Sequence, residues 1–432
     1  MRIKIVALTS PGGTRAYIAL GLGLQRAGHS VQIATFPFLQ ELVSSYGLDF
    51  APVDCHNFQK TSPSPMPFGN KPFRFIRNFG NWLRPVNDSL LPVLWQVCQD
   101  TDAIIFNPNT FPCYDIAEKL GIPCYAACEQ PHHQTDVFPY FHFPHINLPD
   151  VARPIGIYNW LTYSLFDQLI WQSIRQPFNQ WRQETLNLPS LPPWSGVLTR
   201  IQQQKIPCLY TCSPSFLPKP SNWPDWVYVT GYWFLERPST WQPPTDLVEF
   251  LAAGPPPIYL ETWHEKLGVE TVRKVLFQTG QRAIVRTVAG GLRDADFPED
   301  EVLTVKSVPH DWLFPQIAAV VHHGGHGTTL NGIRAGVPTV TIPYNGDQFL
   351  WSRRVAELGL GPPPIVQEQP SVEKLVAAIR IAISDTRMRS RAVAIGNRIQ
   401  AENGVARAVE AFHRHLPPNW QQHNVAAKSI DY

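Results

Sequence analysis

The chain has 432 residues, 44% of them hydrophobic and 16% charged, with a formal net charge of +2. That length accommodates two or three domains with sizeable cores, and the near-neutral balance offers no broad positive field to nucleic acid. No run reaches the roughly 18 apolar residues of a membrane span, and the opening MRIKIVALTS lacks the pattern of a signal peptide, so a cytoplasmic protein is expected. Large aromatics are interleaved with the 43 prolines, which reads as stiff loops and not disorder. The seven cysteines form no C-x-x-C pair and are expected to be free buried thiols.

In chain order, residues 2–8 read as a buried strand, TSPGGTR as a loop, 16–28 as a helix ending at Gly28, and 30–36 as a second strand. This β-loop-α-β opening predicts a parallel, doubly wound sheet. Strands are expected at 102–108 and 122–128, with a helix over 115–121 between them. The stretch 157–188 has helical spacing for one or two helices, and 209–213 and 227–231 close the first half as strands. The proline-rich segment 232–246 reads as a linker. A second βα series follows, with strands at 257–262, 282–287, 302–308, 318–323 and 338–344. Helices are expected over 268–280, from 329, and over 348–359, 372–383 and 401–416. The predicted organisation is therefore domain 1–231, linker 232–246, domain 247–400, a final helix 401–416 packing back on the first domain, and a loose tail 417–432. Two such sheets are expected to face a ligand cleft at the carboxyl ends of their strands.

The most informative segment is HHGGHGTT, 322–329, between the apolar run IAAVV and a helical stretch. Glycines permit close backbone approach. A helix N-terminus favours an anion, and Thr328 and Thr329 are suited to capping and to phosphate contact. Downstream, PYNGDQ (343–348) places Asp347 and Gln348 at a strand-to-helix junction, where they can cap the helix, bond sugar hydroxyls, or do both. A phosphate cradle followed by hydroxyl-binding groups outlines a nucleotide-sugar site.

Residues 307–362, from SVPHDWLFPQ to ELGLGP, resemble the donor-binding region of family 1 glycosyltransferases of GT-B fold, in the bacterial glycopeptide- and sterol-type branch. Further support comes from IALGLGLQRAGHSVQIAT, VTGYW and ENGVARAVEAF, so the resemblance runs to about residue 415. It implies two Rossmann-like domains. Implied too is inverting transfer of a hexose from a nucleotide sugar, UDP-linked, to a lipophilic or natural-product hydroxyl, with no cofactor and no metal. It assigns His323 to the diphosphate, Gly325, His326, Gly327 and Thr328 to its cradle, and Asp347 and Gln348 to the hexose. Val308 and His310 would meet the nucleobase, and Thr287 joins the donor-binding set.

Three positions depart from the family pattern. The first loop usually carries an aspartate after G-T-R, but here Gly13-Thr14-Arg15 runs into Ala16-Tyr17-Ile18. A Glu261-Thr262-Trp263-His264 sequence replaces a G-F-G-S-like turn, and His326 stands where a small residue is usual. Glu129, His132, His133 and Asp136 follow a predicted strand and are candidate replacement bases, as is His264; His132 and His133 also read as ordinary loop or acceptor-wall residues. The basic, aromatic stretch around 68–84 is consistent with a peripheral membrane contact, or with an aromatic core segment that carries a solvated basic face. Two alternatives remain open on these residues: a catalytically silent binding or partner protein, and a UDP-sugar epimerase.

Overall fold

The computed structural model describes residues 1–55, 89–146, 152–261, 268–286, 297–298, 301–366 and 370–417. The stretch 68–84, Thr287, His264 and the tail beyond 417 lie outside the described residues. The chain divides into two compact units, Met1–Leu235 with the segment from Glu402 onward, and Glu236–Ala401.

The first unit is built on a seven-stranded sheet in the order β3-β2-β1-β4-β5-β6-β7. Its strands are β1 (Arg2–Val6), β2 (Ser30–Thr35), β3 (Asp49–Pro52), β4 (Ala103–Phe106), β5 (Cys124–Cys128), β6 (Cys208–Tyr210) and β7 (Val227–Val229). All pair in parallel, with Ile5 opposite Ile33 on one side and Ile105 on the other. A strand covered on both faces is expected to be apolar throughout, and all four residues of β4 are buried. The second unit carries five parallel strands in the order β10-β9-β8-β11-β12. These are β8 (Ile258–Glu261), β9 (Ala283–Arg286), β10 (Val302–Val305), β11 (Val320–His322) and β12 (Thr339–Thr341).

Several boundaries differ from expectation. The first helix spans Pro11–Arg26, so Gly12 to Arg15 belong to its first turns and not to a loop. Ser10 accepts the Gly13 N–H and Pro11 occupies the start, and this capping outweighs the two glycines. Residues 157–188 fall mostly within a single helix, Ala152–Glu184, that runs through Pro177. Buried Trp171, Ile174, Phe178 and Trp181 anchor it on both sides of that proline. Strand β3, DFAP, was not anticipated.

The last helix, Gly404–Arg414, completes the core of the first unit. Ala408, Ala411 and Phe412 pack with Tyr17, Leu20, Leu24 and Ile33, and the Tyr125 hydroxyl donates to the Phe412 carbonyl at 3.0 Å. Burial of a side chain such as Phe412 contributes about 1.5–3 kcal/mol.

A buried ionic cluster ties three helices of this unit together. Asp115, on helix Pro112–Leu120, is fully buried and accepts from Arg182 and, at 2.8 Å, from Arg200. Glu118 lies 3.2 Å from Arg182. Removing one partner of such a cluster leaves buried charge uncompensated. Asp115→Ala is expected to destabilise the first unit by about 3–5 kcal/mol, measured by urea unfolding; a loss below about 1 kcal/mol would contradict the role given to the cluster.

Candidate functional site

In the second unit, β11 delivers a fully buried strand, Val320–His322, to the carboxyl edge of the sheet. Gly324 then adopts φ +82°, a conformation that side chains disfavour, and donates its N–H to His322 Nδ1 at 3.1 Å. Gly325 occupies the N-cap of helix His326–Arg334, with no side chain to cap it. A Cβ on Gly325 would collide with His323 Nε2, so this glycine makes room for the imidazole. The first bond of the helix runs from Thr329 N to Gly325 O at 3.0 Å. The N–H groups of His326, Gly327 and Thr328 therefore stand outside the helical ladder. Such a terminus attracts an anion by about 0.3–1 kcal/mol, and up to ~2 kcal/mol when sheltered. His323, Gly325, Gly327 and Thr328 gather here and are partly open to solvent.

Two residues of the motif behave differently. His326 is 3% exposed and stacks on Trp351 at 4.2 Å between ring centroids. Burial lowers its imidazole to about 3, so at neutral pH it is an uncharged packing residue instead of a cationic phosphate donor. Thr329 is buried, and its hydroxyl donates back to the Gly325 carbonyl at 2.8 Å; it does not cap the helix.

Beside this turn sits a charged network with no counterpart in the sequence reading. The parallel register sets Glu261, at the end of β8, against Arg286, at the end of β9. Arg286 donates to Glu261 Oε1, and His323 Nδ1 lies 3.3 Å from Glu261 Oε2. Burial alone would raise the Glu261 carboxyl, but contact with His323 and the nearby Arg286 and His322 outweigh it and hold the group well below the usual carboxylate range. Glu261 thus braces the ring of His323 from behind. Glu261, His322 and His323 offer one metal-ligand atom each within 4.8 Å of one another. However, Arg286 and the Gly324 N–H already engage Glu261 and His322. The signal for the network was a charged residue closing each of two apolar strands, IYLE and AIVR.

Asp347 and Gln348 begin helix Gln348–Glu357. Asp347 makes no capping bond; its Oδ2 accepts the indole N–H of Trp351 at 2.8 Å. Gln348 Oε1 accepts the backbone N–H groups of Tyr344 and Asn345 at 3.0 and 3.1 Å, which fixes the loop carrying both residues. Val308 is buried, and His310 stacks on Phe314 at 4.2 Å. A cavity of about 610 Å³ lies nearby, lined by Arg237, Trp241, His310, Asp311, Asn331 and Arg334 among others. It borders the C-terminal half of helix His326–Arg334 and is separate from the cradle.

In the first unit, His132 and His133 border a small apolar cavity of about 30 Å³, with Phe106, Phe111 and Cys208. Both are held by tyrosines: His132 Nδ1 lies 3.1 Å from the Tyr140 hydroxyl, and His133 Nδ1 lies 2.9 Å from that of Tyr210. Burial, with His133 beside it, lowers His132 to about 3, which makes it a weak base. Asp136 is exposed, and its Oδ1 accepts from Asn222 at 2.9 Å.

A parallel sheet whose strand turns through two glycines into an uncapped helix belongs to the class of folds whose helix starts suit phosphorylated ligands. Comparison with known proteins narrows that class. Residues 278–411 match the family model described as erythromycin biosynthesis protein CIII-like, C-terminal domain. Sterol 3-beta-glucosyltransferase UGT80B1 of Arabidopsis thaliana is 35% identical over 436 residues, covering 97% of this chain and 68% of the relative. The sterol 3-beta-glucosyltransferase of Neurospora crassa is 34% identical over 444 residues, and this chain spans 27% of its length. Among solved structures, CalG4, the calicheamicin glycosyltransferase, aligns with a TM-score of 0.67 at 18% identity, over 96% of this chain and 99% of that one. The fold is GT-B, and the chain belongs to the family 1 glycosyltransferases.

The buried histidines give this unit a defined acid response. His322 and His326 are both lowered to about 3, by burial in each case and by His323 as well for His322. Below the ordinary imidazole value of ~6.5 the unfolded chain binds the additional protons, so stability present above that pH declines as pH falls toward 3. Each such group contributes a slope of about 1.4 kcal/mol per pH unit in that window. The melting midpoint is expected to drop between pH 7 and 5, and His326→Phe, which preserves the stack on Trp351, should soften the drop. An identical slope in the variant would contradict the neutral state of His326.

Proposed function

We propose that the chain transfers a hexose from a UDP-linked sugar, with inversion at the anomeric carbon, to a hydroxyl of a lipophilic acceptor of the sterol class. The observation that carries this reading is the uncapped helix start at His326, flanked by His323 and followed by Asp347. In this reading His323, Gly325, Gly327 and Thr328 receive the diphosphate, where fixed N–H dipoles stabilise the charge that develops as it leaves. Asp347 and the loop held by Gln348 accept the hexose hydroxyls, and Val308 and His310 border the nucleobase. His132, His133 and Asp136 belong to the acceptor wall. The names of both sterol relatives support the acceptor class, and they support a transferase over a silent relative or an epimerase.

Thr328→Ala and Asp347→Ala are each expected to raise the donor KM about 10-fold, the equivalent of one lost hydrogen bond to a charged or buried partner. Radiolabelled UDP-glucose with a 3-hydroxysterol in detergent provides the assay. Unchanged donor use by both variants would sink the site assignment.

No helix among the described residues is long and apolar enough to cross a membrane. The composition of 68–84 supports contact with an anionic bilayer surface, through which a lipid-dissolved acceptor would be reached. Neutralising Arg74, Arg77 and Arg84 together should weaken sedimentation with phosphatidylserine vesicles; equal binding by the variant rejects the contact.

A further inference from the structure

We infer that Glu129 is the general base that takes the proton from the acceptor hydroxyl. This inference rests on the transferase reading and deepens it. In the first sheet the strand order reverses between β1 and β4. Open parallel sheets bind ligands beyond the carboxyl ends of their strands at such a reversal. Glu129 follows β5 directly, and its carboxylate reaches past β4 to the loop after β1, where the Thr9 hydroxyl donates to Oε1 at 3.3 Å. A Cβ on Gly13, in the first turn of helix Pro11–Arg26, would collide with both Thr9 Oγ1 and Glu129 Oε1. The glycine therefore preserves the space that the carboxylate occupies.

The surroundings suit an ionised base with one accessible side. The N-terminus of a 16-residue helix faces it and favours negative charge there. Arg15, on the same helix, the phenols of Tyr17 and Tyr232 and the buried Cys128 thiol are titratable groups at this corner. Burial first, and the Glu129 charge next, raise both phenols above their ordinary range, so neither competes for the role. The floor is rigid: Asn107 and Asn109 donate to the Leu8 carbonyl at 3.1 and 2.8 Å. Glu129 itself is partly exposed.

In the step, the acceptor O–H proton passes to the Glu129 carboxylate while the acceptor oxygen forms its bond to the anomeric carbon. The bond from that carbon to the diphosphate oxygen breaks, and its electron pair leaves with the nucleoside diphosphate.

The full chain is assayed with UDP-glucose and cholesterol in detergent, alongside calorimetry with UDP and a thermal melt. Glu129→Gln is expected to lower kcat by about 10²–10⁴-fold, with UDP affinity and melting unchanged. A kcat within about threefold of the unsubstituted chain overturns the assignment, since a positioned base contributes far more. Should that variant fail to fold, Glu129→Asp, which withdraws the carboxylate by one methylene, should lower kcat by at least about 10-fold; undiminished turnover overturns the inference equally. An unsubstituted chain that binds no UDP and turns over no sterol overturns the parent reading, and the base with it, which is a different result from an active Glu129→Gln variant.

Discussion

The second unit depends on how the chain leaves β11. A buried parallel strand must end, reverse and start a helix while keeping its polar groups satisfied or exposed to a ligand. Gly324 supplies the reversal through its positive φ and bonds back to His322. Gly325 begins the helix with no side chain of its own and yields its place to the His323 ring. The three N–H groups that follow are thus presented and not consumed. A capping side chain here would take up one of these donors, and glycine at the N-cap leaves all three open at little cost in helix stability.

Both sheets place charge at their carboxyl edges, with different arrangements. In the second unit, the register of β8 with β9 makes an ion pair of Glu261 and Arg286, and His323 leans on it. This carboxylate is committed to protein partners and keeps an imidazole in place. In the first unit, Glu129 meets a hydroxyl and a helix start, and it retains access to solvent. Burial separates the two acids, not residue type: Glu261 is buried, and Glu129 is partly exposed.

Much of the fold was legible in the chain. Apolar runs such as AIIF and VVH mark the central strands, because strands covered on both faces have no polar alternation to lose. The HHGGHGTT motif marked the glycine turn and the helix start for a local reason: glycine pairs and helix starts are decided by adjacent residues. What escaped depends on distant partners. The stack of His326 on Trp351 and the pairing of Glu261 with Arg286 join residues that only the tertiary register brings together. The start of the first helix was misplaced because Gly12 and Gly13 resemble a loop, whereas Ser10 and Pro11 set the boundary. Glu129 was one of five candidates in sequence, and its approach to Thr9 and Gly13, more than 100 residues away in the chain, distinguishes it.

The helix Gly404–Arg414 has a consequence for synthesis. The chain leaves the first unit at Leu235 and returns to it at Glu402, so the second unit is inserted within the first. Phe412 and its neighbours fill a core whose other walls are made by residues between Ile3 and Trp233. On the ribosome, where chains grow at about 5–20 residues per second, those walls wait roughly 10–40 seconds for their last component. During that interval the inserted unit can close on its own strands while the earlier one stays open at an apolar face. The core of the first unit is therefore closed only by residues made after the inserted unit.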